Sequence, residues 1–232
     1  MSEIILIHGA CHGAWCWTET VAELATLGIP ARALDLPGHG PDRTPPDQIT
    51  LDLYAQAILG QITRPAILVG HSAGGHAIAA AALKHPDMVR ALIYLTAWIP
   101  QPDKSLADLR RAARPEALTR ALRLAPDRLT YSFASESYAE TFAQDAPPEA
   151  LARALQNQCP EPVAPHETPL PAQPDSPAFA IFCDHDRAIP PALQRQLAAV
   201  LPPDRTAALP ASHSPFFSQP QALAQAIARF TD

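Results

Sequence analysis

Charge is scarce in this sequence. Asp, Glu, Lys and Arg make up 17% of its 232 residues, against roughly 25% in an ordinary soluble domain. The formal net charge is −6, so there is no basic field to hold nucleic acid or an anionic membrane surface. Cysteine is sparse as well. Cys11, Cys16, Cys159 and Cys183 match no small secreted disulfide framework, and beside apolar runs cysteine acts as a small apolar residue. No C-x-x-C zinc pattern appears, and His71 and His76 straddle a turn rather than share a helix face. No phosphate-loop Lys-Ser/Thr pair or G-x-G-x-x-G follows a strand. Neither a metal nor another cofactor is therefore expected. The opening MSEIILIHGA has no basic region ahead of its apolar stretch and does not read as a secretory signal. The longest uncharged run, Pro65 to Leu83, contains His71, Ser72, His76 and a Gly-Gly pair, which suit a strand-turn-helix better than a lipid span. The expectation is a cytoplasmic protein with no nucleic-acid or membrane partner.

What is present is apolar residues, at 47%, and 27 prolines, about twice the usual share of proline. The length fits one domain with a full core. Short runs rich in Ile, Leu and Val read as buried strands: Glu3 to Ile7, Ala31 to Leu34, Ala66 to Val69, Arg90 to Leu95, Ala178 to Cys183 and Arg205 to Leu209. Between them Trp15 to Leu27, Leu51 to Ile62, Ala73 to Lys84, Ala192 to Leu201 and Gln221 to Phe230 have helical period. Such alternation predicts an α/β fold with a mostly parallel six-stranded sheet covered on both faces, and functional residues on loops at the C-terminal strand ends. From Ala97 to Pro177 the rhythm breaks. No strand is legible there; Leu106 to Leu124 and Pro148 to Gln158 read as helices, and a proline-rich stretch reads as a stiff return path. A structureless loop of that length would be out of place in a compact domain. The segment 97–177 is therefore expected to be a helical cap inserted into a core made of 1–96 and 178–232.

Gly70-His71-Ser72-Ala73-Gly74 follows an apolar run and opens an alanine-rich helix, the strand-turn-helix context of a nucleophile elbow. Glycines flank the serine because the turn leaves no room for side chains. A serine hydroxyl needs a base within hydrogen-bond reach, and in this architecture an acid and then a histidine follow in chain order. Asp184-His185-Asp186 comes after one late strand, and His213 lies on the loop after the last. Asp186 is taken as the acid that orients the imidazole, with Asp184 as the alternative. His8-Gly9 ends the first strand, so the N–H of Ala10 can point at a carbonyl oxygen and, with that of Ala73, form a two-donor oxyanion hole. His8 itself reads as structural. Trp15 is a candidate pocket wall together with Gly9, whereas Trp17 reads as core. Asp35-Leu36-Pro37-Gly38-His39-Gly40 reads as a structural turn, and Arg110, Arg111 and Arg114 as a solvated face.

The stretch Leu6-Ile7-His8-Gly9-Ala10-Cys11-His12-Gly13-Ala14-Trp15-Cys16-Trp17, with Asp35 to Gly40 and Gly70-His71-Ser72, resembles the α/β-hydrolase superfamily. It is most similar to the branch of plant methyl-ester esterases, hydroxynitrile lyases and small bacterial carboxylesterases. The resemblance implies a three-layer α/β-hydrolase fold, a helical cap, and a Ser-His-Asp triad carried over to Ser72, His213 and Asp186. It also carries the oxyanion donors over to Ala10 and Ala73. The lyase members resemble a pattern with threonine where this chain has Gly9 and lysine where it has Ser214. Both departures favour ester hydrolysis over cyanohydrin cleavage.

The reading is then a cofactor-independent serine carboxylesterase acting on a small aryl or short-acyl ester, with Trp98, Phe133 and Phe142 of the cap enclosing the substrate. A hydroxynitrile lyase, a C–C or lactone hydrolase with the same triad, and a non-catalytic small-molecule receptor stay as alternatives. A homodimer through the apolar cap is allowed, although no interface pattern is legible.

Overall fold

The computed structural model describes residues 2–231. Six strands form one sheet: Ile4–Ile7 (β1), Ala31–Leu34 (β2), Ala66–His71 (β3), Val89–Leu95 (β4), Ala178–Cys183 (β8) and Thr206–Leu209 (β9), in the order β2-β1-β3-β4-β8-β9. Every pairing in it is parallel. β1 and β3 are buried at every residue, as strands covered on both faces must be. Helices Thr18–Thr26 (α1) and Pro220–Ala228 (α11) pack together, as do Leu51–Gly60 (α2) and Gly74–Lys84 (α3), flanking the sheet. Pro220 occupies the first turn of α11, where its missing N–H costs nothing. Trp15 and Trp17 fall in a short 3-10 turn, Ala14–Trp17, ahead of α1 rather than within it.

Chain direction reverses at the centre of the sheet. From β1 the chain goes out to β2, then returns to β3 on the other side of β1. Register places Ile7 beside Gly70, so the loops after β1 and β3 leave the sheet side by side. This is the topological switch point of an open α/β sheet, where the crevice for a ligand forms.

The inserted segment is more than helices. Leu106–Ala113 (α4) opens with a reciprocal capping box between Ser105 and Asp108. It stops at Arg114, which takes a left-handed φ of 48°, and Pro115 precedes a separate helix, Glu116–Ala121 (α5). The helix predicted over Leu106 to Leu124 is thus broken by a proline that cannot continue the hydrogen-bond ladder. Contrary to the strand-free reading of this segment, Leu122–Leu124 (β5), Thr130–Phe133 (β6) and Glu161–Pro162 (β7) form an antiparallel three-stranded sheet. β6 alternates half-buried, buried, exposed, buried, a period-2 signal too short to stand out. Ser135–Phe142 (α6), Pro148–Asn157 (α7) and Ala164–Glu167 (α8) complete the segment, and Pro191–Leu197 (α9) and Pro215–Ser218 (α10) follow in the core.

At the switch point the backbones approach so closely that glycine is obligatory. A Cβ on Gly74 would lie 2.5 Å from the His8 carbonyl oxygen, and one on Gly70 would lie 2.7 Å from the Gly74 carbonyl oxygen. Replacing Gly74 by alanine should cost roughly 1–3 kcal/mol through forced separation of the two loops. Gly60→Ala is the control, since nothing lies within 4 Å of a Cβ there. Urea unfolding of both variants checks this, and equal stabilities would contradict it.

Candidate active site

Ser72 sits at the end of β3 with φ +51°, a left-handed conformation that strains any residue with a Cβ. The turn is held from three sides. The Ser72 N–H donates to the Leu95 carbonyl at 3.0 Å, the Ser72 carbonyl accepts from Trp98 N–H at 3.2 Å, and Gly75 N–H closes the turn on the same carbonyl at 3.2 Å. The side chain is half-buried at the N-terminus of α3, where helix N–H groups favour negative charge.

The loops after β8 and β9 bring Asp186 and His213 together. His213 Nδ1 donates to Asp186 Oδ2 at 2.7 Å, with both residues buried. Asp186 Oδ1 also accepts from Ala188 N–H at 2.7 Å and Ile189 N–H at 2.8 Å, and Gln194 Nε2 donates to Oδ2 at 3.0 Å. Asp184 instead forms an ion pair with Arg195 at 2.6 Å, with 40% of its side chain exposed. The carboxylate that reaches His213 is therefore Asp186, not Asp184. The His213 backbone is fixed too, because its carbonyl accepts from His71 Nε2 at 2.9 Å and from the Thr96 hydroxyl at 3.3 Å. The His71 and His213 rings lie 4.7 Å apart, so the imidazole stands beside the elbow. No hydrogen bond joins Ser72 Oγ to the His213 ring in this conformation.

Ala10 and Ala73 line one narrow cleft together with Gly9 and Gly74. Among the described residues neither Ala10 N–H nor Ala73 N–H donates to any protein group, which leaves two backbone donors unpaired beside Ser72. A Cβ on Gly9 would stand 2.7 Å from His71 Nδ1 and 3.0 Å from Ser72 Cβ. A threonine at this position, as in the lyase-like pattern, has no room.

The apolar candidates divide. Phe142 faces His213 with ring centres 5.7 Å apart, and Phe133 packs on Phe142 at 4.4 Å. Trp15 is half-buried and stacks on His12 and Phe217. Trp98 is buried at 2% exposure, and what it gives the site is its backbone N–H to Ser72. Neither tryptophan lines the cleft beside Ala10 and Ala73. Trp17 is core, as expected.

Several residues of the site are not legible in the sequence. Gln194 of α9 holds Asp186 and clamps the β8 end, accepting from Cys183 N–H at 3.1 Å and donating to the Ile189 carbonyl at 2.7 Å. Glu161, carried by the inserted segment, reaches the loop after β1 and His39 of the turn after β2. His8 and His12 stand four residues apart, an H-x-x-x-H spacing that would suit a metal on a helix. They lie on a loop, however, and all their ring nitrogens are engaged: His8 with Gly9 and Leu36, His12 with Ala10 and Tyr138. Among the described residues no group of three or more His, Cys, Asp or Glu is placed to hold a metal ion.

A model of the alpha/beta hydrolase family matches residues 4–226. A pyrethroid hydrolase of Sphingobium wenxiniae is 34% identical, with 100% of this chain and 88% of that protein covered. Methylesterase 18 of Arabidopsis thaliana is 29% identical over 97% of this chain and 96% of its own. Among solved structures, a pyrethroid hydrolase from Sphingobium faniae JZ-2 superposes with a TM-score of 0.88 at 31% identity, covering 99% of this chain and 96% of that one.

Four buried histidines near the elbow, His8, His12, His71 and His76, are held neutral. Burial, with the neighbouring His39, brings His8 down to about 3, and burial outweighs the Ala10 carbonyl to bring His12 down to about 4. Burial and the nearby His213 and His12 drive His71 well below its ordinary 6.5, and burial with His166 takes His76 to about 3. A histidine depressed in this way costs nothing above about 6.5 and destabilises as pH falls toward its folded value, because the unfolded ring takes the proton first. His76→Met should therefore shift the balance toward the variant by about 2 kcal/mol between pH 8 and pH 5. Melting temperatures at the two pH values check this; a variant-to-wild-type difference that ignores pH would refute it.

Proposed function

The chain belongs to the α/β hydrolase family, and on that footing we propose that it is a carboxylic-ester hydrolase working through an acyl-enzyme on Ser72. The observation that carries the reading is the 2.7 Å Asp186–His213 bond set beside a strained Ser72 turn. Because His213 Nδ1 donates to Asp186, its Nε2 holds the lone pair and takes the Ser72 proton as Oγ attacks the ester carbonyl. The carbonyl oxygen becomes an anion at the Ala10 and Ala73 N–H groups, which have no other acceptor to give up, and each such donor is worth about 3 kcal/mol. His213 then passes its proton to the leaving alcohol. In the second half it activates water to release the acid. Asp186 orients the imidazole and balances the imidazolium charge.

The relatives' names support ester hydrolysis as the reaction class without settling one substrate. The Phe133–Phe142 pair set against His213 favours an ester with a small apolar acyl or aryl group. Cyanohydrin cleavage is disfavoured by the crowding at Gly9 and by a buried Ser214 after His213.

Nitrophenyl esters from acetate to octanoate give the test. Turnover should peak at short chains and vanish in Ser72→Ala. Asp186→Asn should lower kcat by about 10⁴-fold, by analogy with the loss of the orienting acid in a serine hydrolase. Asp184→Asn should stay within about threefold, as a change at an exposed ion pair. Turnover that survives Ser72→Ala, or a larger loss at Asp184 than at Asp186, would overturn the assignment.

A further inference from the structure

Glu161 lies where the inserted segment meets the loop after β1, and its carboxylate is buried at 2% exposure. Oε2 accepts from Cys11 N–H at 2.9 Å and from His39 Nε2 at 2.9 Å, while Oε1 accepts from His166 Nε2 at 2.8 Å and from the Tyr54 hydroxyl at 3.3 Å. His39 Nδ1 faces the Pro37 carbonyl at 3.1 Å. Both nitrogens of His39 therefore meet acceptors, so the ring is an imidazolium and forms a neutral pair with the Glu161 carboxylate. Burial works against both charges, yet the pair and its hydrogen bonds prevail, raising His39 and holding Glu161 well below the usual carboxylate range. Stability is a weak reason to keep such a pair, since apolar residues of similar volume commonly do as well.

Its placement offers a stronger one. Cys11 has φ +61°, a left-handed conformation that persists only where surrounding contacts over-determine it. Glu161 takes its N–H, and Cys159 N–H donates to its carbonyl at 3.2 Å. The carbonyls on either side of Ala10 N–H are held as well. That of Gly9 accepts from His8 Nδ1 at 2.9 Å, and that of Ala10 accepts from His12 Nδ1 at 2.8 Å. Of the peptide groups linking residues 9 to 11, only the Ala10 N–H has no partner among the described residues, and Ala10 lines the cleft. A bare carboxylate one residue from a developing oxyanion would oppose it. The His39 charge removes that penalty.

We propose that Glu161 is a positioning residue of the oxyanion hole: by holding the Cys11 N–H it fixes the left-handed turn that presents the Ala10 N–H to the reacting carbonyl. The inference rests on the reading of Ser72 as the nucleophile of an ester hydrolase. Glu161 acts through the backbone and touches no substrate. Its loss should therefore appear in kcat and leave KM alone, the signature of an interaction made only in the transition state. A glutamine at 161 can turn its oxygen to Cys11 and its amide to His166, so it should rescue.

The experiment measures kcat and KM for nitrophenyl acetate per active site, titrated with a fluorophosphonate, in wild type, Glu161→Ala and Glu161→Gln. Because Glu161→Ala orphans the buried His39 charge, the double variant His39→Leu with Glu161→Met is measured beside it, in which no charge is left unpaired. Both variants that lack the acceptor should lose about 10²-fold in kcat per titrated site, the lower range for losing one oxyanion donor, with KM within about twofold. Glu161→Gln should stay within about fivefold of wild type. A purely structural Glu161 would instead lower the melting temperature and the titrated fraction while leaving kcat per site intact, and that result overturns the proposal. So does a glutamine variant as slow as the alanine one. If the wild type turns over no ester, the hydrolase reading fails on its own. The rate of Ser72 phosphonylation, which builds a tetrahedral oxyanion without an ester, is then compared across the same variants, and equal rates reject the role of Glu161.

Discussion

The close approach of the β1 and β3 loops is the constraint on which the rest of the site depends. Gly9, Gly70 and Gly74 each stand where a Cβ would meet another group at 2.7 Å or less. Without side chains there, the backbone carrying Ala10 comes against the turn carrying Ser72. Ala10 and Ala73, whose N–H groups have no partner among the described residues, then line one cleft. Neighbouring parallel strands supply the directions, since β1 and β3 run side by side across the switch point. The strained φ at Ser72 is tolerated because the end of the neighbouring strand β4, through Leu95, and the following loop, through Trp98, bind its backbone on both sides.

Around this approach the chain assembles a shell of histidines kept neutral by burial. His71 shows how such a residue serves the site without charge. One ring nitrogen donates to the His213 carbonyl, and the other lies against Gly9. The ring thereby links the elbow to the loop after β9. Among the described residues the buried carboxylates are two, each bonded to an imidazole: Asp186 with His213, and Glu161 with His39. The first carboxylate is saturated by Ala188, Ile189, Gln194 and His213, so its plane is set before any substrate arrives.

The segment between β4 and β8 contributes directly to the site. Phe142 sets an aromatic ring against His213, Tyr138 hydrogen-bonds His12 at 2.7 Å, and Cys159 and Glu161 reach the backbone of Cys11. The loop after β1 is thus held on one side by Leu36 N–H, which donates to His8 Nε2, and on the other by these residues. Geometry at the cleft is a joint product of both parts of the chain.

Much of this protein was legible in its sequence. Buried parallel strands announce themselves as continuous apolar runs, and a serine between glycines at a strand-helix junction can adopt few backbones. Ser72, His213 and the alternation of elements followed from such local rules. Asp186 against Asp184 did not follow from local pattern, because both carboxylates sit on the same turn and only the fold decides which meets Arg195 and which meets His213. The strand Leu122–Leu124 was likewise hidden, since its residues continue a helical pattern and pair only because Thr130–Phe133 lies alongside. Gln194 and Glu161 were out of reach for a further reason. They are single polar residues 8 and 150 positions away from the groups they hold, and no periodicity marks them. Sequence by itself determined which segments are buried and where the backbone must turn sharply, since both depend on the residues of one short stretch. Tertiary structure alone decided which distant polar atoms come within 3 Å, since that distance is set by how the segments pack.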